Sequence, residues 1–291
     1  GALAGSSSGF EPLGDADLVL ALGTELKHAT LGEDTTLVRV DIEVAQLHKH
    51  HRAHLPVLGD VSRTVRAMLS HPDAASGRVA RDWSDSVRDA ARRSRSRATE
   101  IWSVLHDAVL DGAGRSPERP VVLTGDSSQI SWLGTVQTAV LDGPRRFVTT
   151  DGYATLGYGL PAAIGATLAV PDSTVVALLG DGALMFSVQE LATASELGLS
   201  LAVVVLDNGG YAEIEANMRD AGLDPFAVAL TPPDYAALAA AFHCRYEEAR
   251  GPAELAAAVR AASGAGRPSI IRVAQSDFAT AAWRPQTRRA S

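Results

Sequence analysis

Cysteine is almost absent: the single Cys244 excludes an internal disulfide and suits a reducing compartment. Long apolar runs are missing too. No stretch approaches the roughly 20 residues that a membrane-spanning helix needs, and the opening lacks a signal-peptide pattern. Positive charge is in deficit, with 26 Lys and Arg against 34 Asp and Glu and a net charge of −8. That balance gives no general attraction to nucleic acid or to an anionic membrane surface. The expectation is therefore a soluble cytoplasmic protein that partners neither nucleic acid nor membrane. What the chain does have is apolar content: 46% of its 291 residues are hydrophobic. That is enough for one large buried core or two smaller ones.

The most informative stretch runs from Val175 to Tyr211. Val175–Leu179 is short, apolar and β-branched, and reads as a buried strand. Gly180-Asp181-Gly182 follows, where the backbone can turn tightly and approach a ligand closely. Ser187–Leu197 reads as a helix, with Val188, Leu191, Ala194 and Leu197 on one stripe and Gly198 as its stop. Leu201–Leu206 is a second apolar strand, running into Asp207-Asn208-Gly209-Gly210. In a parallel sheet both strands end on the same edge, so Asp181 and Asn208 can converge there. A carboxylate, an amide oxygen and loop carbonyls are hard oxygen ligands, suited to Mg2+ or Ca2+ held together with a phosphate. The plainer alternative is an ordinary strand turn followed by a hairpin-like Asn-Gly.

The rest of the chain is less specific. Gly1–Phe10 reads as a loop or a trimmed edge, and Asp17–Leu22 and Leu37–Ile42 read as strands. Val61–Leu69 is a helix with Val61, Val65, Met68 and Leu69 on one side. His48, His50, His51 and His54 are read as structural polar residues and not as a metal cluster. His71–Gly77 is a linker, and Arg78–Leu110 is charged, with Trp83, Trp102 and Leu105 as anchors. Its basic run Ala91–Arg97 reads as the solvated face of a helix. Beyond the Asp111–Pro120 loop, Val121–Leu123 is a strand that leads into Thr124-Gly125-Asp126-Ser127-Ser128-Gln129. A helix follows Gly157, two more span Pro233–Phe242 and Pro252–Ala262, and Ser269–Val273 is the last strand. Arg284–Ser291 reads as a tail.

Asn208 follows Asp181-Gly182 after twenty-five residues, the spacing of the thiamine diphosphate signature. Over nearly its whole length the chain resembles the thiamine diphosphate-dependent enzymes of the acetolactate synthase and 2-oxo acid decarboxylase superfamily. The resemblance implies an α/β fold: a doubly wound, parallel-sheet thiamine diphosphate-binding domain preceded by a partial second α/β domain. Residues 1–72 would be the partial, Rossmann-like central domain, 73–118 a linker and helix, 119–275 the cofactor domain and 276–291 a tail. The implied cofactors are thiamine diphosphate and Mg2+. Asp181, Asn208 and the Gly210 carbonyl would hold the metal, with Gly180, Gly182, Ala183 and Tyr211 against the cofactor. Ser127, Ser128 and Gln129 would donate to the diphosphate at a helix N-terminus. Simple helix capping by these side chains is the alternative.

Two further roles follow from the same resemblance. Leu156 matches a large aliphatic residue that wedges under the cofactor and bends it, and the Ala154 carbonyl would accept from its aminopyrimidine. Bending brings the cofactor's amino group to its reactive carbon, a proximity effect supplied by shape. The family's activating glutamate belongs to a separate pyrimidine-binding domain, and Glu25 and Glu33 are poor candidates for it. The chain is therefore expected to be the C-terminal part of a longer enzyme, or one subunit of a split one, working as a homodimer or tetramer. The expected substrate is a small 2-oxo acid. Gly209–Pro225 resembles decarboxylases of basic 2-oxo acids such as 5-guanidino-2-oxopentanoate, with Glu213 facing the cleft as partner of a cationic tail. A cap at the helix start or a pair with Arg219 is the other use for Glu213. An acetolactate synthase-like carboligase and a non-catalytic subunit that keeps the fold are the alternatives to the decarboxylase.

Overall fold

A computed structural model describes residues 13–27, 29–75, 100–116, 118–150 and 152–278. Gly1–Phe10, Trp83, the basic run Ala91–Arg97 and the Arg284–Ser291 tail lie outside the described residues. The chain divides into two compact units, Gly1–Arg97 and Ala98–Ser291.

The first unit carries three parallel strands, β1 (Leu18–Leu22), β2 (Thr36–Asp41) and β3 (Leu55–Leu58), in that spatial order. Alternate residues face a small core of Val19, Ala21 and Leu37 with Leu26, Ala29 and Ala53. Arg39 is fully buried, and its charge is offset by main-chain dipoles. It donates to the carbonyls of Lys49 at 2.6 Å and Thr24 at 2.7 Å. His54 serves the sheet, its Nδ1 accepting from the Leu37 N–H at 3.0 Å. Asp60 caps the helix Val61–Ser70 by accepting from the Arg63 N–H. The helix carries Val61, Val65, Met68 and Leu69, but none of its residues is buried within the described chain, and Leu69 is 73% exposed.

The second unit is built on six parallel strands. They are β4 (Val121–Gly125), β5 (Phe147–Thr149), β6 (Thr174–Gly180), β7 (Ala202–Asp207), β8 (Arg245–Glu248) and β9 (Ser269–Ala274), in the order β5-β4-β6-β7-β9-β8. The central strands β6 and β7 are apolar between Thr174 at the start of one and Asp207 at the end of the other, because helices cover both faces. On one face Val176, Leu178, Val204 and Ile271 pack against the helices Glu100–Gly112 and Pro252–Ala262. On the other, Val175, Ala177, Leu179 and Val203 pack against Gly159–Ala169, Glu190–Glu196 and Tyr235–Ala241. This is the doubly wound arrangement. The helix Glu100–Gly112, expected within the 73–118 connection, instead forms part of this core. Its Trp102 and Leu105 are buried, and Gly112 lies so near Ala256 that a β-carbon would collide with the backbone there.

The same helix buries His106. Its Nδ1 lies 2.8 Å from the Trp102 carbonyl and its Nε2 2.8 Å from the Thr135 hydroxyl. A carbonyl only accepts, so Nδ1 carries a proton. The Thr135 hydroxyl hydrogen can go to Nε2 or to the Ile130 carbonyl 3.2 Å away, and burial favours the neutral ring, in which Nε2 accepts it. Burial lowers its pKa from 6.5 to about 4, partly opposed by the bond to the Trp102 carbonyl. Between those values the unfolded chain binds the proton better, so the stability due to neutral His106 is lost as pH falls. The loss amounts to about 2 kcal/mol by pH 5. Urea unfolding of wild type and His106→Gln at pH 7.5 and pH 5 tests this. The stability gap between the two should narrow by about that amount at the lower pH; an unchanged gap would show that His106 does not titrate this way.

Candidate cofactor site

Sheet order alone marks the location. β5 lies on one side of β4 and β6 on the other, so the crossovers from this point run in opposite directions and leave a crevice at the carboxyl ends of the strands. The turn after β4, the loop before Gly159–Ala169, the turn after β6 and the loop after β7 all line one cleft of about 260 Å3 there. Every site residue named from the sequence borders it, from Ser127, Ser128 and Gln129 through Ala154, Leu156 and Gly180–Ala183 to Asn208, Gly210, Tyr211 and Glu213.

β6 and β7 pair in parallel with Gly180 opposite Leu206, which brings Asp181 beside Asp207 as the strands end. Asp181 opens a short helix, Asp181–Leu184, and is only 4% exposed. Its Oδ2 accepts the Gly209 N–H at 3.0 Å, so the two loops meet as the spacing implied. Burial raises its pKa and the nearby Asp207 adds to the rise, while amides of Gly182, Gly209 and Gly210 oppose it. A carboxylate so penalised is one that a cation would stabilise. Next to it, Asn208 Oδ1 is buried and has no hydrogen-bond partner among the described residues. Leaving such an oxygen unpaired costs about 1–3 kcal/mol unless a ligand takes it up.

The glycines shape the rest of this loop. Gly209 has φ +83° and Gly210 φ +156°, and a β-carbon at Gly210 would collide with the Val228 carbonyl. That close approach is fixed by the Tyr211 N–H to Val228 O bond at 2.8 Å and the Leu230 N–H to Gly209 O bond at 2.9 Å. Gly182 matters for the same reason, since a β-carbon there would come within 2.6 Å of the Tyr211 ring.

Two family models match the chain. The C-terminal TPP binding domain of thiamine pyrophosphate enzymes covers residues 131–273, and their central domain covers residues 2–68. The chain belongs to the thiamine pyrophosphate enzymes. Among curated relatives, "Probable 2-ketoarginine decarboxylase AruI" of Pseudomonas aeruginosa is 32% identical over 277 residues, which is 91% of this chain and 48% of that protein. The acetolactate synthase isozyme 1 large subunit of Escherichia coli is 30% identical over 203 residues, 67% of this chain and 35% of its own length. The isozyme 3 large subunit of the same organism is 28% identical over 241 residues, 78% and 42% of the two chains. The chain thus spans about half the length of the first of these relatives and less of the others.

In this member of the thiamine pyrophosphate enzyme family the turn after β4 does more than cap a helix. Gln129 precedes a π-helical segment, Ile130–Thr135, that tightens into Val136–Thr138, and its side chain makes no capping bond. Such widened turns recur at functional sites. Here the expected α-helical N-terminus is replaced because Gly134 abuts His106 and Trp102 and Thr135 is bonded to His106. The three polar side chains are used across the cleft wall: Trp132 Nε1 donates to Ser127 Oγ at 3.0 Å, Ser128 Oγ to Asp126 at 2.9 Å, and Gln129 Nε2 to Glu213 at 3.3 Å.

Asp126 is the residue that sequence reasoning passed over. It is fully buried, burial raises its pKa, and its other oxygen accepts the Gly157 N–H at 3.2 Å. One carboxyl group therefore ties the β4 turn to the loop bearing Ala154 and Leu156. Ala154 sits at φ +52°, an unusual conformation for a residue with a side chain. The signal lay in Gly125-Asp126-Ser127, a turn like the one after β6. Glu213, on the cleft lining, is exposed, and among the described residues it neither caps its helix nor meets Arg219, which pairs with Glu215 at 2.5 Å.

The close approach at Gly210 gives a direct test. Gly210→Ala should keep the fold by circular dichroism yet bind thiamine diphosphate about tenfold more weakly or worse in calorimetry, because strain of roughly 1–3 kcal/mol falls on the Asn208 loop. Unchanged affinity would mean that the loop geometry is irrelevant to the cofactor.

Proposed function

We propose that this chain forms the diphosphate- and metal-binding wall of an enzyme that decarboxylates a 2-oxo acid, with a basic substrate such as 2-ketoarginine as the leading class. The observation that carries the reading is the meeting of Asp181 and the Asn208 loop through the Gly209 amide, with Asn208 Oδ1 left unpartnered. A carboxylate, a carboxamide oxygen and the Gly210 carbonyl make a hard, oxygen-only donor set that fits Mg2+. So small a set leaves most coordination positions to phosphate and water, which is why metal and diphosphate should bind together.

When bound, thiamine diphosphate supplies the nucleophilic carbon and the electron sink for loss of CO2. The protein's part is positioning. Ser127 and Ser128 would hold the diphosphate, Leu156 would pack against the cofactor, and Ala154, on the loop tied down by Asp126, would offer its carbonyl to it. The cleft, at about 260 Å3, is below the roughly 300–1,000 Å3 of a complete small-molecule pocket. Ile214 on its lining is exposed, as are Tyr153, next to Ala154, and Phe186, beside Gly157. Both features agree with a second wall, the pyrimidine-binding domain, supplied in cis or by another subunit in a homodimer or tetramer.

For the substrate, Glu213 and Gln129 present acceptors on one side of the cleft. A guanidinium can meet a carboxylate with two parallel hydrogen bonds, and the likeness to the 2-ketoarginine decarboxylase points the same way. The similarity to acetolactate synthases supports a second reading, a carboligase acting on small uncharged 2-oxo acids.

Calorimetry with thiamine diphosphate tests the metal. Binding should need Mg2+, be abolished by EDTA and weaken about tenfold or more in Asp181→Ala. Equal binding without metal, or by the variant, would overturn the assignment. The substrate is tested in the full-length protein or complex with its pyrimidine side present. kcat/KM should be higher for 2-ketoarginine than for pyruvate, and Glu213→Gln should lower the first by about five- to tenfold while sparing the second. A preference for pyruvate, or unchanged discrimination in the variant, would favour the carboligase.

A further inference from the structure

β7 ends in Asp207, immediately before Asn208, and this acidic residue has no part in the donor set described above. Its exposure is 8% against 4% for Asp181. The two carboxylates reach the same main-chain amide: the Gly209 N–H lies 3.0 Å from Asp181 Oδ2 and 3.2 Å from Asp207 Oδ1. A second acidic oxygen donor therefore stands beside the cation site. Hard divalent cations favour carboxylates, and Ca2+ and Mn2+ accept added oxygen ligands readily. Left to itself, Asp207 would compete for the metal.

Arg272 engages this carboxylate. It lies on β9 opposite Val205, two residues back from Asp207 along β7, and so on the same side of the strand. Its Nε and Nη2 each lie 2.8 Å from Asp207 Oδ2, and its Nη1 donates to Glu248 on β8 at 3.0 Å. All three guanidinium nitrogens are engaged, and the planar fork fixes the direction of the carboxylate as a lysine could not. Oδ2 is thus held by Arg272 on β9 and Oδ1 lies on the Gly209 amide, so both carboxylate oxygens of Asp207 already have partners.

We propose that Arg272 is a positioning residue for the metal. By holding Asp207 out of the coordination sphere it keeps the site at one carboxylate and one carboxamide, too weak to retain a bare cation. Metal binding thereby becomes conditional on the diphosphate. The inference rests on the assignment of Asp181 and Asn208 as metal ligands.

Mn2+ binding followed by the loss of its free-ion EPR signal tests the idea without turnover. Wild type should bind Mn2+ weakly alone and at least about tenfold more tightly with thiamine diphosphate. Arg272→Met should close most of that gap by tightening binding of Mn2+ alone, and adding Asp207→Asn in the same chain should reopen it. Arg272→Lys, which keeps the charge but not the fork, should tighten binding of Mn2+ alone by a smaller factor; it decides the matter if Arg272→Met does not fold. Unchanged affinity for Mn2+ alone in the folded single variants would overturn the role of Arg272. Failure of wild type to bind Mn2+ even with thiamine diphosphate would overturn instead the assignment on which it rests.

Discussion

β6 and β7 run parallel with Gly180 opposite Leu206, and the candidate site follows from that register. Two strands in this relation must leave the sheet at one edge with their next residues adjacent, so a carboxylate after one and a carboxamide after the other share a small volume. A slip of one residue would turn the side chains of β7 to the opposite face. It would also set Asn208 level with Asp181 or Ala183 instead of Gly182. The register is held by burial, since Val203, Val204 and Val205 are fully enclosed by helices on both faces. The apolar core thus places a polar site with a precision that the polar residues could not provide alone.

The site is costly in itself. Asp181 and Asp207 crowd one amide, Asn208 Oδ1 is orphaned, and Ala154 and the two glycines of the Asn208 loop adopt positive φ values. Each feature is a local violation of the rules that govern the surrounding sheet, and such violations concentrate where function is exerted. The surrounding contacts that sustain them are specific: Arg272 on Asp207, Val228 on the Gly210 loop, and Asp126 on the loop of Ala154 and Leu156. A divalent cation with a diphosphate would relieve the first group of penalties together, by pairing the carboxylate and satisfying the carboxamide.

Much of this was legible in the chain because it is local. β6 and β7 appear as continuous apolar runs, Gly180–Gly182 and Asp207–Gly210 as turns, and the interval between Asp181 and Asn208 as one helix and one strand. What escaped notice depends on distant partners or on weak pattern. β5 is three residues long, and β8, of sequence RYEE, is polar because it is an edge strand. The widened turn at Ile130–Thr135 arises from packing of Gly134 on His106 and Trp102, a contact with no signature in the interval between them. The helix Glu100–Gly112 has no marker of which unit it joins until Gly112 is seen against Ala256. Asp126 and Arg272 act on residues 31 and 65 positions away in sequence, so no local reading could have assigned their roles. Glu213 illustrates the converse, since its place on the cleft was legible but its exposure and its bond to Gln129 were not.

The central claim is that the ends of β6 and β7 form one cation site together with a diphosphate. Crystals grown with thiamine diphosphate and Mn2+, measured at the manganese absorption edge, test it most directly. The account predicts a single anomalous peak bounded by the Asp181 carboxylate, Asn208 Oδ1, the Gly210 carbonyl and diphosphate oxygens, with Asp207 still on Arg272. A peak away from these three residues, or an Asn208 Oδ1 bonded to a protein group while cofactor fills the cleft, would contradict it.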